Sequence, residues 1–147
     1  MRIASLAAAA LLAASCLPVS AASLLEKNFW LSGPNYDGVL PRCDDKAVSD
    51  RIVSRFARKE WGYWNSSLTI EQIDRHREIA YSPWGPSYIP RRFCTARVLT
   101  SDHHYRRVSY SIGEDTGWLG VTWGVNWCVD GTDYNLAYAP ACKMARP

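Results

Sequence analysis

His76, His103 and His104 are the side chains best suited to ligating a metal or passing a proton. A zinc site needs three or four convergent ligands. His103 and His104 are adjacent in a Ser-Asp-His-His turn and cannot both reach one ion from so short a loop. His76 stands in a charged stretch with Arg75, Arg77 and Glu78. No metal site is expected. Nucleophilic hydrolysis fares no better: Ser66, Ser67, Ser109 and Ser111 lack a G-x-S-x-G elbow, and no Ser-x-x-Lys pair opens a helix. A Cys–His enzyme would need a free thiolate, which four paired cysteines would not supply. Glu114-Asp115 and Asp130 with Asp133 offer two carboxylates each, the equipment of glycoside hydrolysis. Both lie in turn sequences, where Asp beside Gly is the ordinary choice. Asp130-Gly-Thr-Asp-Tyr-Asn135 lacks the acidic ladder and distal Glu of a calcium loop. No catalytic residue and no cofactor are therefore assigned. A small hydrolase pairing Glu114 with Asp130 or Asp133 stands as the competing class, and a purely structural envelope protein as a third.

Aromatic residues are the surplus: the chain carries seven Trp and eight Tyr. Core packing accounts for Trp61, Trp123 and Trp127. Tyr63 and Trp64 at a helix end, Trp84 and Tyr88 in a proline-rich connection, and Trp118 in a turn belong where chains usually reach the surface. With Arg91, Arg92, Arg106 and Arg107 nearby, these five aromatics are the candidate binding residues for a protein or an envelope polymer.

The compartment follows from the first segment. Arg2, an Ala/Leu-rich run from Ile3 to Leu17, and Val19-Ser20-Ala21 read as a secretory signal peptide over residues 1–21. Pro18 breaks the apolar run, which is too short to span a membrane. Ala13-Ala14-Ser15-Cys16 lacks the Leu three places before Cys that a lipobox carries, so a lipid anchor at Cys16 is not expected. Cleavage removes Cys16 and leaves Cys43, Cys94, Cys128 and Cys142, an even set that implies two disulfides in an exported, periplasmic chain. Loss of Arg2 lowers the net charge from +3 to +2. Such a small excess, with scattered Arg pairs, excludes a nucleic-acid binder. Residues 22–147 make one domain, long enough to bury about two-thirds of its unfolded surface.

The elements that must position these residues are legible from periodicity. Ala22 to Arg42 is rich in turn formers and reads as an extended arm whose aromatics pack on the body. Asp44 to about Trp61 is a helix: Asp44 or Asp45 caps it, and Val48, Ile52 and Phe56 with Val53, Ala57 and Trp61 form one apolar stripe, ending at Gly62. Leu68 to Tyr81 fits helical spacing at Ile70 and Ile73, yet its β-branched start and Ser-Pro-Trp-Gly-Pro end favour a strand. Arg91–Thr100 and Tyr105–Gly113 are strands around a turn at residues 101–104. Trp118 to Val129 alternates, with Val121, Trp123, Val125, Trp127 and Val129 on one face and Cys128 on the other. The tail after Asp130 is coil-like. One helix covering a four-stranded antiparallel meander is an α+β layer, and the arrangement resembles the cystatin-like superfolds.

That layout orders the cysteines. Cys43 at the helix start and Cys94 at the start of the second strand fall at the same end. Cys128 points away from the apolar stripe, so the tail must fold over the outer face to bring Cys142 to it. The expected bridges are Cys43–Cys94 and Cys128–Cys142.

The segments Ile89-Pro-Arg-Arg-Phe-Cys94, Tyr110-Ser-Ile-Gly-Glu-Asp-Thr-Gly117 and Trp127-Cys-Val-Asp-Gly131, with the run from Ala137 to Pro147, resemble a family of short exported proteins of Gram-negative bacteria, mainly alphaproteobacteria. The resemblance covers roughly Cys43 to Pro147. It implies a periplasmic setting, a signal peptide and a shared cysteine framework, and brings no catalytic residue with it. The function expected from the residues is a non-enzymatic binding or inhibitor-like module recognising an envelope component or a protein through exposed aromatics.

Overall fold

A computed structural model describes residues 40–82, 89–114, 116–118 and 122–147. The candidates Trp84 and Tyr88, Asp115, Val121, the signal segment and most of the expected arm lie outside the described residues. One helix, α1 (Lys46–Trp64), precedes four strands: β1 (Ile70–Ser82), β2 (Arg91–Thr100), β3 (Tyr105–Gly113) and β4 (Gly124–Val129). They form one antiparallel sheet in the order β1-β2-β3-β4. The α+β layer expected from the pattern is the fold.

Asp45 caps α1, its Oδ1 accepting from the Ala47 amide at 2.8 Å. Asp44 instead pairs with Arg42. The helix runs through Gly62 and stops at Asn65, which adopts the left-handed conformation (φ 48°) and donates its amide to the Glu60 carbonyl. Asn tolerates that region, so the stop falls three residues beyond the expected glycine. The buried row is Val48, Ile52, Phe56 and Glu60. Trp61, assigned to the core by its spacing, is 76% exposed. Each helical residue turns by about 100°, so the position after Glu60 rotates off the sheet.

The helix covers a face formed by Cys94, Ala96 and Val98 of β2, Val108, Tyr110 and Ile112 of β3, and Val125 and Val129 of β4. Alternation along β2 and β3 gives the expected bounds without change. In β1 the register shifts between Asp74 and Arg77, with Arg75 at φ 53°. Bulges of this kind re-aim side chains. His76 thereby reaches Tyr110, its Nδ1 lying 3.0 Å from the phenol oxygen. Tyr110 spends its own proton on the Cys43 carbonyl (2.7 Å), so His76 Nδ1 is the donor of that pair. Burial pushes the Tyr110 phenol far above its ordinary value, with Asp44 adding to the shift.

β4 is shorter than its alternating pattern, beginning at Gly124. A Cβ at Gly124 would lie 2.3 Å from the Thr116 carbonyl oxygen, so the chain can pass there only without a side chain. Trp118 belongs to the preceding turn. Both expected disulfides form: Cys43–Cys94 joins the helix entry to β2, and Cys128–Cys142 pins the tail to the outer face. There Cys128, Cys142 and Ala145 make a second small cluster with Tyr138 against it. Among the described residues no helix is long and apolar enough to cross a membrane.

Candidate functional site

The folded-back tail leaves a groove between itself, the end of α1 and the outer edge of β4. Its volume is about 600 Å³, within the range of ligand pockets. Four consecutive β4 residues, Val125 to Cys128, form one wall; Arg55, Lys59, Tyr63 and Trp64 of α1 form another; Asp133, Asn135, Ala137 and Tyr138 of the tail close the third. Trp127 packs its ring on Phe56 at 5.7 Å between centroids and still borders the groove. Trp64 meets Tyr134 edge-on at 5.2 Å.

Two of the five aromatic candidates are therefore brought together. Tyr63 is 82% exposed, and Trp64 beside it is 37% exposed. Trp118 is exposed but is not part of the groove. The expected cations are not there either. Arg92 pairs with Glu78 and lies over the Tyr81 ring, Arg106 pairs with Asp102, and Arg107 pairs with Asp130. These arginines serve the sheet and its hairpin. Asp102 shows the effect: Arg106 first, then Thr100, hold its carboxyl well below the usual carboxylate range.

The groove takes its positive charge from α1. Arg51, Arg55 and Lys59 recur every four residues and face the edge strand, donating to the carbonyls of Trp123 (2.7 Å), Val125 (3.1 Å) and Thr132 (2.9 Å). The Arg51 guanidinium also stacks 3.9 Å above Trp123. Partial burial first, then Arg55, lower its proton affinity. Among the described residues no carboxylate pairs with any of the three. Asp133, also in the groove, is turned onto the Ala137 and Tyr138 amides at 3.1 and 2.7 Å.

No protein family, no curated protein and no solved structure matches the chain.

The other chemical candidates are used structurally or stand apart. His104 Nδ1 contacts the Asp102 carbonyl, and His103 occupies the left-handed position of the β2–β3 turn. Among the described residues no three His, Cys, Asp or Glu side chains gather as a metal site would require. Glu114 follows β3 at the end where Gly113 meets Gly124, whereas Asp130 follows β4 past the Val108–Val129 pair. Five residues of strand, roughly 17 Å, separate those ends. Paired carboxylates need to be within about 10 Å. Asp133 lies further along the tail, with its oxygens on backbone amides. The sheet therefore keeps Glu114 and Asp130 at opposite ends of the β3–β4 pair.

From the sequence, Trp127 reads as core, Arg55 and Lys59 as the polar surface of the helix, and Tyr138 carries no assigned role. A signal for the cations exists. Arg51, Arg55 and Lys59 have no acidic residue three or four places away on the helix, unlike Lys46, which pairs with Asp50 at i+4.

Proposed function

We propose that this chain is an exported, periplasmic binding module, inhibitor-like and without catalysis of its own, which takes up an envelope component or a protein in the groove beside β4. The observation that carries this reading is the groove itself. It sets Tyr63, Trp64, Trp127 and Tyr138 together with two cations that no carboxylate pairs among the described residues. Aromatic faces and Arg are the side chains that interfaces concentrate. Two disulfides suit an oxidising compartment. The signal-like first segment and the resemblance to short exported proteins of alphaproteobacteria point the same way.

The test is nuclear magnetic resonance of the mature chain from Ala22, with solubilised muropeptides and periplasmic peptides added in separate titrations. Binding in the groove moves the indole N–H signals of Trp64 and Trp127 and leaves that of Trp118 in place. Trp64→Ala weakens the response. Titrations that leave the Trp64 and Trp127 signals unmoved would overturn the reading.

A further inference from the structure

We infer that the ligand of this groove is an extended polypeptide segment bearing a carboxylate, which adds to the free edge of β4 at Trp127 and sets its charge against Arg55 and Lys59. This rests on the groove being the binding site and narrows what it binds. Successive residues of an edge strand turn their backbone groups alternately toward the neighbouring strand and away from it. Asp130 donates its amide inward to the Arg107 carbonyl of β3. The Trp123 and Val125 carbonyls face outward, since Arg51 and Arg55 reach them from the helix. Trp127 shares the parity of Val125, so its amide and carbonyl also point away from β3. Among the described residues β4 ends the sheet, and no strand lies beyond it.

The outward groups of this edge are unequally treated. Arginines occupy the carbonyls of Trp123 and Val125, and Thr132 folds back onto the Val129 carbonyl with both its amide and its hydroxyl. Between these caps, Trp127 lines the groove, and its outward amide and carbonyl have no hydrogen-bond partner among the described residues. An exposed N–H and C=O on one residue is the template that a polypeptide completes with two backbone hydrogen bonds. The hydroxyl and acetamido groups of a glycan do not repeat with the spacing and direction of strand amides, which favours a peptide over an envelope polysaccharide.

Arg55 spends one of its five N–H donors on Val125, and Lys59 one of three on Thr132. Arg92, Arg97, Arg106 and Arg107 of the sheet each pair with a carboxylate, while these two cations line the groove with donors to spare. Asp133 lines the same groove but holds its oxygens on the Ala137 and Tyr138 amides and forms no ion pair with either cation, so two cations stand there against one carboxylate. The complementary group is a carboxylate of the peptide, from an Asp or Glu side chain or a C-terminus.

The experiment uses the mature chain and a bead library of acetylated octapeptide amides randomised at every position, with a parallel library ending in a free carboxylate. Retained peptides are expected to be enriched in Asp and Glu or confined to the free-carboxylate library. N-methylating the central amides of a retained peptide is expected to weaken it by about ten-fold or more, the factor carried by one good hydrogen bond. The Trp127 amide should exchange more slowly in the complex. The double variant Arg55→Glu with Lys59→Glu should turn the selected peptides from acidic to basic. Its fold is checked by the unshifted resonances of β2 and β3. Retained peptides without acidic bias, or N-methylated peptides that bind equally well, would overturn the inference. So would a self-association that protects Trp127 without added peptide. If muropeptides move the Trp64 and Tyr138 signals while no peptide is retained, the inference fails and the groove remains a binding site. If neither probe acts there, both fall.

Discussion

Removing the Cys128–Cys142 bridge separates the stability of the fold from the existence of the groove. The bridge closes a loop across a sequence separation of 14. In the chain-entropy account, a loop of that size contributes about 3 kcal/mol, against about 4 kcal/mol for the span of 51 closed by Cys43–Cys94. The tail it holds is not otherwise at ease: Leu136, Ala141 and Cys142 all sit at positive φ, each a conformation that non-glycine residues resist by about 1–2 kcal/mol. Its compensations are the small cluster of Cys128, Cys142, Ala145 and Tyr138 and the Asp133 contacts. In the Cys128→Ala, Cys142→Ala double variant, the tail should therefore detach. With a urea slope of roughly 1.5–2 kcal/mol per molar, the unfolding midpoint should fall by about 1.5–2 M. Amide exchange of residues 137–146 should accelerate while β2 and β3 keep their protection, and the Trp64 and Trp127 responses to ligand should be lost. A midpoint shifted by less than about 0.5 M, with the tail still protected, would refute both the entropy estimate and the tail's dependence on the bridge.

Glu60 is fully buried, and neither carboxylate oxygen has a hydrogen-bond partner among the described residues, so Glu60→Met should raise stability by about 1–3 kcal/mol in urea titrations; a loss of similar size would show that an unseen partner holds it. The Asp102 carboxyl is held below the usual range, so its contribution is present above the ordinary carboxylate value near 4 and is lost as the pH falls through its own lower value. Asp102→Asn should accordingly flatten the decline of stability below about pH 4, measured as melting temperature against pH. Gly124→Ala must push the new methyl into the Thr116 backbone and should cost about 2 kcal/mol or more, whereas Gly62→Ala, with nothing within 4 Å, should be neutral or stabilising by up to about 1 kcal/mol.

What could be read in advance was whatever a local period encodes. β2 and β3 took their bounds from alternation, and the Cys128–Cys142 bridge followed from one parity argument: Cys128 sits opposite the residues facing the helix, so its partner had to come from the tail. The misreadings have particular physical causes. Glycine favours left-handed backbone, so Gly62 reads as the helix stop, but Asn65 adopts that backbone as well, and nothing at Gly62 obliges the chain to leave the helix. Trp61 looked apolar enough for the core, yet the row that continues from Phe56 ends on Glu60, a residue that hydrophobicity would never select. The short start of β4 depends on Thr116 crossing Gly124, a contact invisible to periodicity. The groove was hidden for the same reason: the helix cations meet the edge strand and tail across separations of 70 to 73 residues. Only their lack of acidic neighbours betrayed them.

Those cations do two opposed things, and the opposition explains the shape of the site. An uncovered edge strand invites pairing with any other extended chain, including a second copy of itself. Arg51 and Arg55 blunt that tendency by occupying the outward carbonyls of Trp123 and Val125, and Thr132 does the same at Val129. A fully open β4 would pair indiscriminately; one sealed throughout would bind nothing by its backbone. Leaving one residue, Trp127, between the caps would restrict pairing to a segment that fits the groove it shares with Trp64 and Tyr138 and answers the charge of Arg55 and Lys59. Selectivity would then come from what the edge refuses as much as from what it accepts. The tail that walls this opening is held by its own disulfide, independent of the one that ties the helix to β2, so the site can be lost while the sheet stands.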